Sequence, residues 1–351
     1  MKLDPRSFSA EVVANSKIHQ KWWSELSVNR RHFHNTEDYY ASLSNGAAIL
    51  PRDAWQDLDA TTVRVMRADE GEAWMRYLMP LAKSVNVGKL VHLYRTSSDL
   101  ANPVNRSMSG QVPQALDKVQ YTYAGAPVPI FTHGYGREWR EMETLRSEGF
   151  DALSDDQEAS AAKIKRDMAL YCLDGDATIS VKGYKSYGIR THPNSKTINV
   201  GPSGANIDLT STSTTATAIV NFFSQTVGAA MDSNYINEKI VVFVSPQIFR
   251  NLDRPISDGA GLVLGTIREQ VLKGSRVAAI EETFELTGNS FFAFVPNPKY
   301  IQPIVGMAVG TTAMPRQYPM ANFQFLLAGA MGLQIKVDAN NRGAVFYSIS
   351  T

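Results

Sequence analysis

Residues 89–96 (KLVHLYRT) set Leu90, His92 and Tyr94 against Val91, Leu93 and Arg95, and residues 118–124 (KVQYTYA) alternate in the same way. About 20 residues carrying Asn102-Pro103 and Gly110 separate them. Alternation with a period of two is the pattern of a strand with two unlike faces, and Asn-Pro and Gly are turn chemistry. The pair therefore predicts a long hairpin with a large tip. A compact domain rarely carries so long a connection without structure of its own, so the hairpin needs a surface beyond its own fold to lie on. This constrains the chain more than any other feature, because it points to an extended, inter-subunit element.

The full chain of 351 residues, 44% hydrophobic, is compatible with a sizeable core and with two or three domains or one elaborated one. Lys and Arg number 35 against 34 Asp and Glu, a net charge of +1, which argues against a protein that coats nucleic acid electrostatically. Aromatics at 10% and charged residues at 20% argue against disorder. The single cysteine, Cys172, excludes an intrachain disulfide framework and a cysteine-rich metal site. Asp4 and Pro5 stand where a signal peptide needs an apolar run. The apolar stretches 240–244 and 304–309 are far short of the ~20 residues that span a bilayer. The expectation is a soluble protein, made in a reducing cytoplasm and with no membrane partner.

Residues 1–60 read as an arm of short amphipathic pieces with aromatic anchors, Trp22 and Trp23 beside Ile18 and Leu26, then Pro51 ahead of a helical 52–58 that holds Trp55. Trp74, Met75, Leu78 and Leu81 share one helical face, which Pro80 kinks or ends. Ser154-Asp155-Asp156-Gln157 has the form of a capping box opening a helix over 155–174. Its seam is Ala161, Ile164, Met168 and Tyr171, and Gly175 is its stop. Such a helix is a rod about 30 Å long. Beyond it, helices are expected at 214–231, 247–252 and 261–272. Strands are expected at 239–244, 277–280, 290–295, 304–309 and 333–337, with a final hairpin turning at 340–343 into 344–349. No parallel βαβ rhythm is evident, and the fold class is α+β.

The search for chemistry is largely negative. The sequence lacks GxxxxGK[ST], GxSxG and HExxH. Gly259-Ala260-Gly261 with Gly265 lacks dinucleotide spacing, and Gly201-Pro202-Ser203-Gly204 reads as a surface turn. His32 and His34 have no third ligand, and Asp174-Gly175-Asp176 is first a helix stop. Glu281, Glu282 and Glu285 suit a solvated edge, and Cys172 suits a core. No catalytic, cofactor-binding or metal residue is assigned. An arm, a long hairpin and a rod helix cannot cover their apolar surface within one monomer, so assembly is the physical reading.

The order of these parts resembles the major capsid proteins of tailed bacteriophages, whose HK97-like fold is shared with encapsulin shells. The local stretches FTHGYGREW (131–139), YGIRTHPN (187–194), Val244-Ser245-Pro246 and GAMGLQI (329–335) resemble segments of that family. The resemblance implies an N-terminal arm over 1–82, an E-loop over 87–137, and a peripheral domain over 138–210 containing the spine helix 155–174. An axial domain over 211–300 and returning strands over 301–351 complete it. The arm is too short and too uncharged for the cleaved scaffolding domain of some relatives. Lys118 with Asn340 or Asn341 would be the crude candidates for the Lys–Asn crosslink of others.

What the resemblance implies is a non-enzymatic capsid protein of the virion, assembled in the bacterial cytoplasm into pentamers and hexamers of an icosahedral shell. The shell would enclose double-stranded DNA through weak contacts, with scaffolding, portal and decoration proteins as possible partners. Trp22, Trp23, Trp55, Trp74, Tyr94, Tyr121, Tyr123 and Trp139 are the candidate inter-subunit anchors, since large aromatics dominate interface energies. The alternatives are an encapsulin-like compartment and a cytosolic α+β enzyme using His133 and Asp176.

Overall fold

The computed structural model describes residues 72–101, 106, 108–109, 117–147, 152–257 and 263–351. The chain divides into two units, Met1–Met66 and Arg67–Thr351, and every described residue belongs to the second. Trp22, Trp23, Trp55, His32, His34, the helical pieces of the arm and Gly259-Ala260-Gly261 lie outside the described residues.

Helix α1 (Glu72–Leu78) passes into a 3-10 turn, Met79–Leu81, where Pro80 has no amide hydrogen to continue the helical ladder. A short β1 (Lys83–Ser84) follows, then β2 (Val91–Ser97) and β3 (Tyr121–Pro127), which pair antiparallel from Val91 opposite Pro127 to Ser97 opposite Tyr121. The hairpin expected over 89–96 and 118–124 is therefore present, each strand shifted by one to three residues. Ala126 and Val128 are buried, and β4 (Ile130–Arg137) leaves for another sheet.

Helix α2 (Trp139–Ser147) precedes the long α3 (Ala152–Asp174). The expected capping box is not at its start, because Ser154 already lies inside the helix. The stop is where the sequence placed it. Gly175 has φ +71°, and a Cβ there would sit 2.6 Å from the Gly188 nitrogen. The chain turns at once into the hairpin β5 (Gly175–Val181) and β6 (Tyr184–Tyr187), and β7 (Lys196–Asn199) follows.

The helix expected at 214–231 is built as α4 (Ala216–Asn221), a π-turn (Phe222–Thr226) and α5 (Val227–Ser233), with the Thr215 hydroxyl capping the first turn. Strand β8 (Ile240–Val244) runs into α6 (Pro246–Leu252), whose Ser245 cap accepts the Ile248 N–H at 3.3 Å. The stretch read as one helix over 261–272 is corrected. After β9 (Pro255–Ser257), residues Val263–Thr266 form β10, antiparallel to β9, and only Ile267–Lys273 is helical, as α7. The reason is local: Thr266 and Glu269 form a capping box, which fixes the helix start at Ile267. The remaining strands are β11 (Val277–Glu282), β12 (Phe291–Phe294), β13 (Ile301–Ala313), β14 (Phe323–Ile335) and β15 (Val345–Ile349).

A five-stranded sheet, β11-β8-β12-β15-β7, lies between two cores. All five residues of β8 are buried, because both faces of the sheet are covered. Ile240, Val242 and Val244 join Phe222, Phe223, Ile248, Leu252 and Ile267 on the side of α4 to α7. Val241 and Phe243 join Trp74, Leu78, Ile164, Cys172 and Leu173 on the side of α1 and α3, where Phe243 stacks on Phe292 at 4.9 Å between centroids. Each fully buried side chain of this size contributes roughly 1.5–3 kcal/mol.

Two expectations fail in this sheet. β15 does not fold back on β14 as a hairpin; it pairs antiparallel with β12 and parallel with β7. β8 and β11 are parallel, joined through α6, β9, β10 and α7, so a parallel crossover does exist. The class remains α+β, since a second sheet, β1-β13-β14-β4, is largely antiparallel. Helix α3 packs across it, with Tyr171 edge-on to Phe131 at 5.3 Å.

Candidate functional site

The β2–β3 hairpin has two unlike faces, as its alternation requires. Register places Leu93, Arg95 and Ser97 on one face with Gly125, Tyr123 and Tyr121 opposite them. That face is open: Leu93 is 48% exposed, Tyr121 53% and Tyr123 64%, and the Arg95 guanidinium lies 4.5 Å over the Tyr121 ring. The reverse face is anchored, for the Tyr94 hydroxyl donates to the Ile335 carbonyl at 3.2 Å and accepts from the Asn194 amide at 3.4 Å. The hairpin is thus held to the body by one face, while Leu93, Tyr121 and Tyr123 on the other are exposed among the described residues.

The second open element is the far end of β13–β14. Its inner half is buried, from Ile301 and Ile304 to Leu333 and Ile335, while Met314, Tyr318 and Met320 at the connection are exposed. Arg316 steadies this tip: its guanidinium lies 4.1 Å over Phe323, and its Nε donates to the Ala321 carbonyl at 2.8 Å. Sequence reasoning missed this surface. Its signal was the run MPRQYPMANF (314–323), which places prolines and an arginine among apolar residues between two strand patterns.

Of the candidate anchors, Tyr121 and Tyr123 are exposed, while Tyr94 and Trp139 are partly buried. Trp74 is corrected. It has no exposed surface, its ring is edge-on to Phe292 at 5.7 Å, and its indole N–H donates to the Ala169 carbonyl at 3.3 Å. It is a core residue of its own subunit, because α1 folds back onto α3 and the five-stranded sheet and leaves no face of the ring for a neighbour.

The chemistry considered for an enzyme finds no constellation among the described residues. His133 Nδ1 lies 3.2 Å from the buried Ser160 hydroxyl, whereas Asp176 accepts from the Thr178 hydroxyl at 2.6 Å and its amide at 2.9 Å. Those bonds hold the Asp176 carboxyl below its usual range. Asp174 is a bidentate partner of Arg190, with both oxygens at 2.6 Å. Glu281 accepts from Tyr77 at 2.8 Å and from Arg76 at 2.9 Å. Burial pushes the Cys172 thiol up to about 12, so it is an unreactive core thiol. Arg137 ties β4 to α3 through Asp156 at 2.6 and 2.9 Å, and to α2 through Glu141 at 2.5 Å. Gly201–Gly204 is a turn, closed by the Gly204 N–H on the Gly201 carbonyl at 3.0 Å. Among the described residues no group of three His, Cys, Asp or Glu could hold a metal, and no helix is long and apolar enough to cross a membrane.

A largely antiparallel sheet crossed by a long helix, a two-stranded hairpin and a five-stranded sheet flanked by helices together make the HK97-like capsid fold. Solved structures that share it include the capsid of Myoviridae phage XM1, at 11% identity, TM-score 0.59, covering 87% of this chain and 100% of that one. Microbacterium phage Oxtober96 matches at 12% identity and TM-score 0.58, covering 85% and 96%. The capsid of a native GTA particle matches at 12% identity and TM-score 0.53, covering 89% and 99%. In sequence, residues 45–348 match the family of unknown function DUF6260, and the chain belongs to that family. No curated protein matches it.

Proposed function

We propose that this chain is the major capsid protein of a tailed-phage-type virion, a structural subunit that self-assembles into pentamers and hexamers of an icosahedral shell enclosing double-stranded DNA. The observation that carries the reading is the apolar face of the β2–β3 hairpin, with Leu93, Tyr121 and Tyr123 exposed on an element already anchored by its other face. Covering such a face from a neighbouring copy is favourable, and the same contact repeated around a closed symmetric shell converts weak pairings into a stable object. The fold supports this, since capsids of phage XM1 and of a GTA particle share it. In this reading β2–β3 is the E-loop, α3 the spine helix and the five-stranded sheet the centre of the axial domain. Scaffolding, portal and decoration proteins are the further partners.

The test is expression of the full chain alone, size-exclusion chromatography and negative-stain electron microscopy, with nuclease treatment of any particles. Closed shells or ring-shaped capsomers are expected. A monodisperse monomer near 38.7 kDa at every concentration, and also with a co-expressed scaffold, overturns the proposal. Particles from infected cells that protect duplex DNA support the virion; particles that hold only protein cargo point to an encapsulin-like compartment.

A further inference from the structure

Four segments distant in sequence meet at a cavity of about 350 Å³: β2, the turn after α5, the loop ahead of β13, and the stretch after β14. That volume is at the lower end of ligand pockets, roughly 300–1,000 Å³. Its lining is unlike the apolar surfaces above. Three tyrosines, Tyr94, Tyr235 and Tyr300, alternate with four cations, Arg95, Lys299, Lys336 and Arg342, and Asp338 is the one carboxylate among the described lining residues.

The cations are set against flat rings. The Arg342 guanidinium lies 4.0 Å over Tyr235, and Lys299 Nζ lies 5.1 Å from the Tyr300 centroid. Asp338 reaches Arg342 at only 3.9 Å. Lys336 Nζ is fixed by the Pro298 carbonyl at 2.9 Å and Gln302 Oε1 at 2.7 Å. Tyr235 is 71% exposed and has φ +54°, a left-handed backbone that a bulky side chain rarely adopts. Its turn is pinned by the Tyr235 N–H on the Asp232 carbonyl at 3.0 Å, and by Asn234 Oδ1 accepting the Gly343 N–H at 3.1 Å. The ring is held outward against the burial that an aromatic side chain favours.

A surplus of cations selects an anion, and stacked planar groups select a planar one. An acidic peptide would use the charges and leave the rings idle. A duplex would offer phosphates with its base faces already stacked. A nucleotide with an unpaired base uses both features. We propose that this cleft binds a nucleotide unit, its phosphate between Lys299 and Lys336 and its base on the Tyr235–Arg342 stack, the unit being either a free nucleotide or an unpaired residue of a strand. This rests on the cleft's own side chains and not on the shell reading, so the oligomer measurement and the binding measurement fail separately.

The experiment is fluorescence anisotropy of the full chain with a fluorescein-labelled thymidine oligonucleotide, competed by thymidine monophosphate, inorganic phosphate, a duplex of equal length and polyglutamate. Tyr235→Asn tolerates the left-handed backbone while removing the ring. It is expected to weaken binding roughly five- to a hundredfold, the range for loss of one stacking contact. Tyr235→Phe should retain binding and Lys299→Gln should weaken it, while Lys185→Gln, on the exposed β6 hairpin, removes one charge elsewhere and should not. Competition by the monophosphate assigns the free nucleotide, and competition by unlabelled oligonucleotide alone assigns the strand. Absence of binding, equal or tighter binding of duplex or polyglutamate, or an unchanged affinity in Tyr235→Asn overturns the proposal.

Discussion

His192 Nδ1 accepts the Asn194 amide N–H at 3.0 Å, and its ring is edge-on to Tyr187 at 5.4 Å. An accepting nitrogen must be unprotonated, and burial lowers the imidazole from 6.5 to about 4. The unfolded chain therefore takes up this proton first as the pH falls. Stability from this group is complete above pH 6.5 and is lost on going down toward pH 4, by about 3 kcal/mol at most. Urea midpoints at pH 7.5 and 5 should differ more for the native chain than for His192→Gln; parallel profiles would remove His192 as the cause. Trp74 makes the second prediction at this scale. Trp74→Ala should cost the subunit roughly 3–5 kcal/mol, seen as a lower urea midpoint of the unassembled chain, because the ring fills its own core. An interface anchor would instead leave that midpoint unmoved.

Among the elements, the hairpin separates folding from assembly. Its inner face is tied down by Tyr94 and by the buried Ala126, while Leu93, Tyr121 and Tyr123 stay exposed on its outer face. Replacing Tyr121 and Tyr123 together by Asp should leave the unfolding midpoint within about 0.5 kcal/mol of the parent, the ordinary range for surface changes. The same variant should sharply reduce particle yield by light scattering. A large drop in stability with assembly intact would mean that the tyrosines serve the subunit and not the contact.

For the molecule as a whole, the unit Arg67–Thr351 has two cores of its own, one on each side of the five-stranded sheet. A chain beginning at Arg67 should therefore fold, with near-parental circular dichroism and a cooperative urea transition, and should fail to form shells if residues 1–66 serve as an inter-subunit arm. Loss of the cooperative transition would show that the first unit is needed for the fold itself.

Local chemistry was enough for the elements that carry their own signals. The alternation of KLVHLYRT and KVQYTYA determined the hairpin, Gly175 the end of the long helix, and Ser245-Pro246 the start of α6, because each depends on residues adjacent in the chain. The capping box at 154–157 misled because the helix already begins at Ala152, and the helix over 261–272 because Thr266 and Glu269 cap a shorter one. Partner choice was not legible. β15 leaves β14 for β12 and β7, Trp74 turns inward, and the Tyr94–Tyr235–Tyr300 cleft draws on segments up to about 250 residues apart. A strand pattern states which face must be covered and not what covers it. That was decided only by the tertiary structure, where sheet order and the burial of both faces of β8 select one set of neighbours among many that local propensity allows.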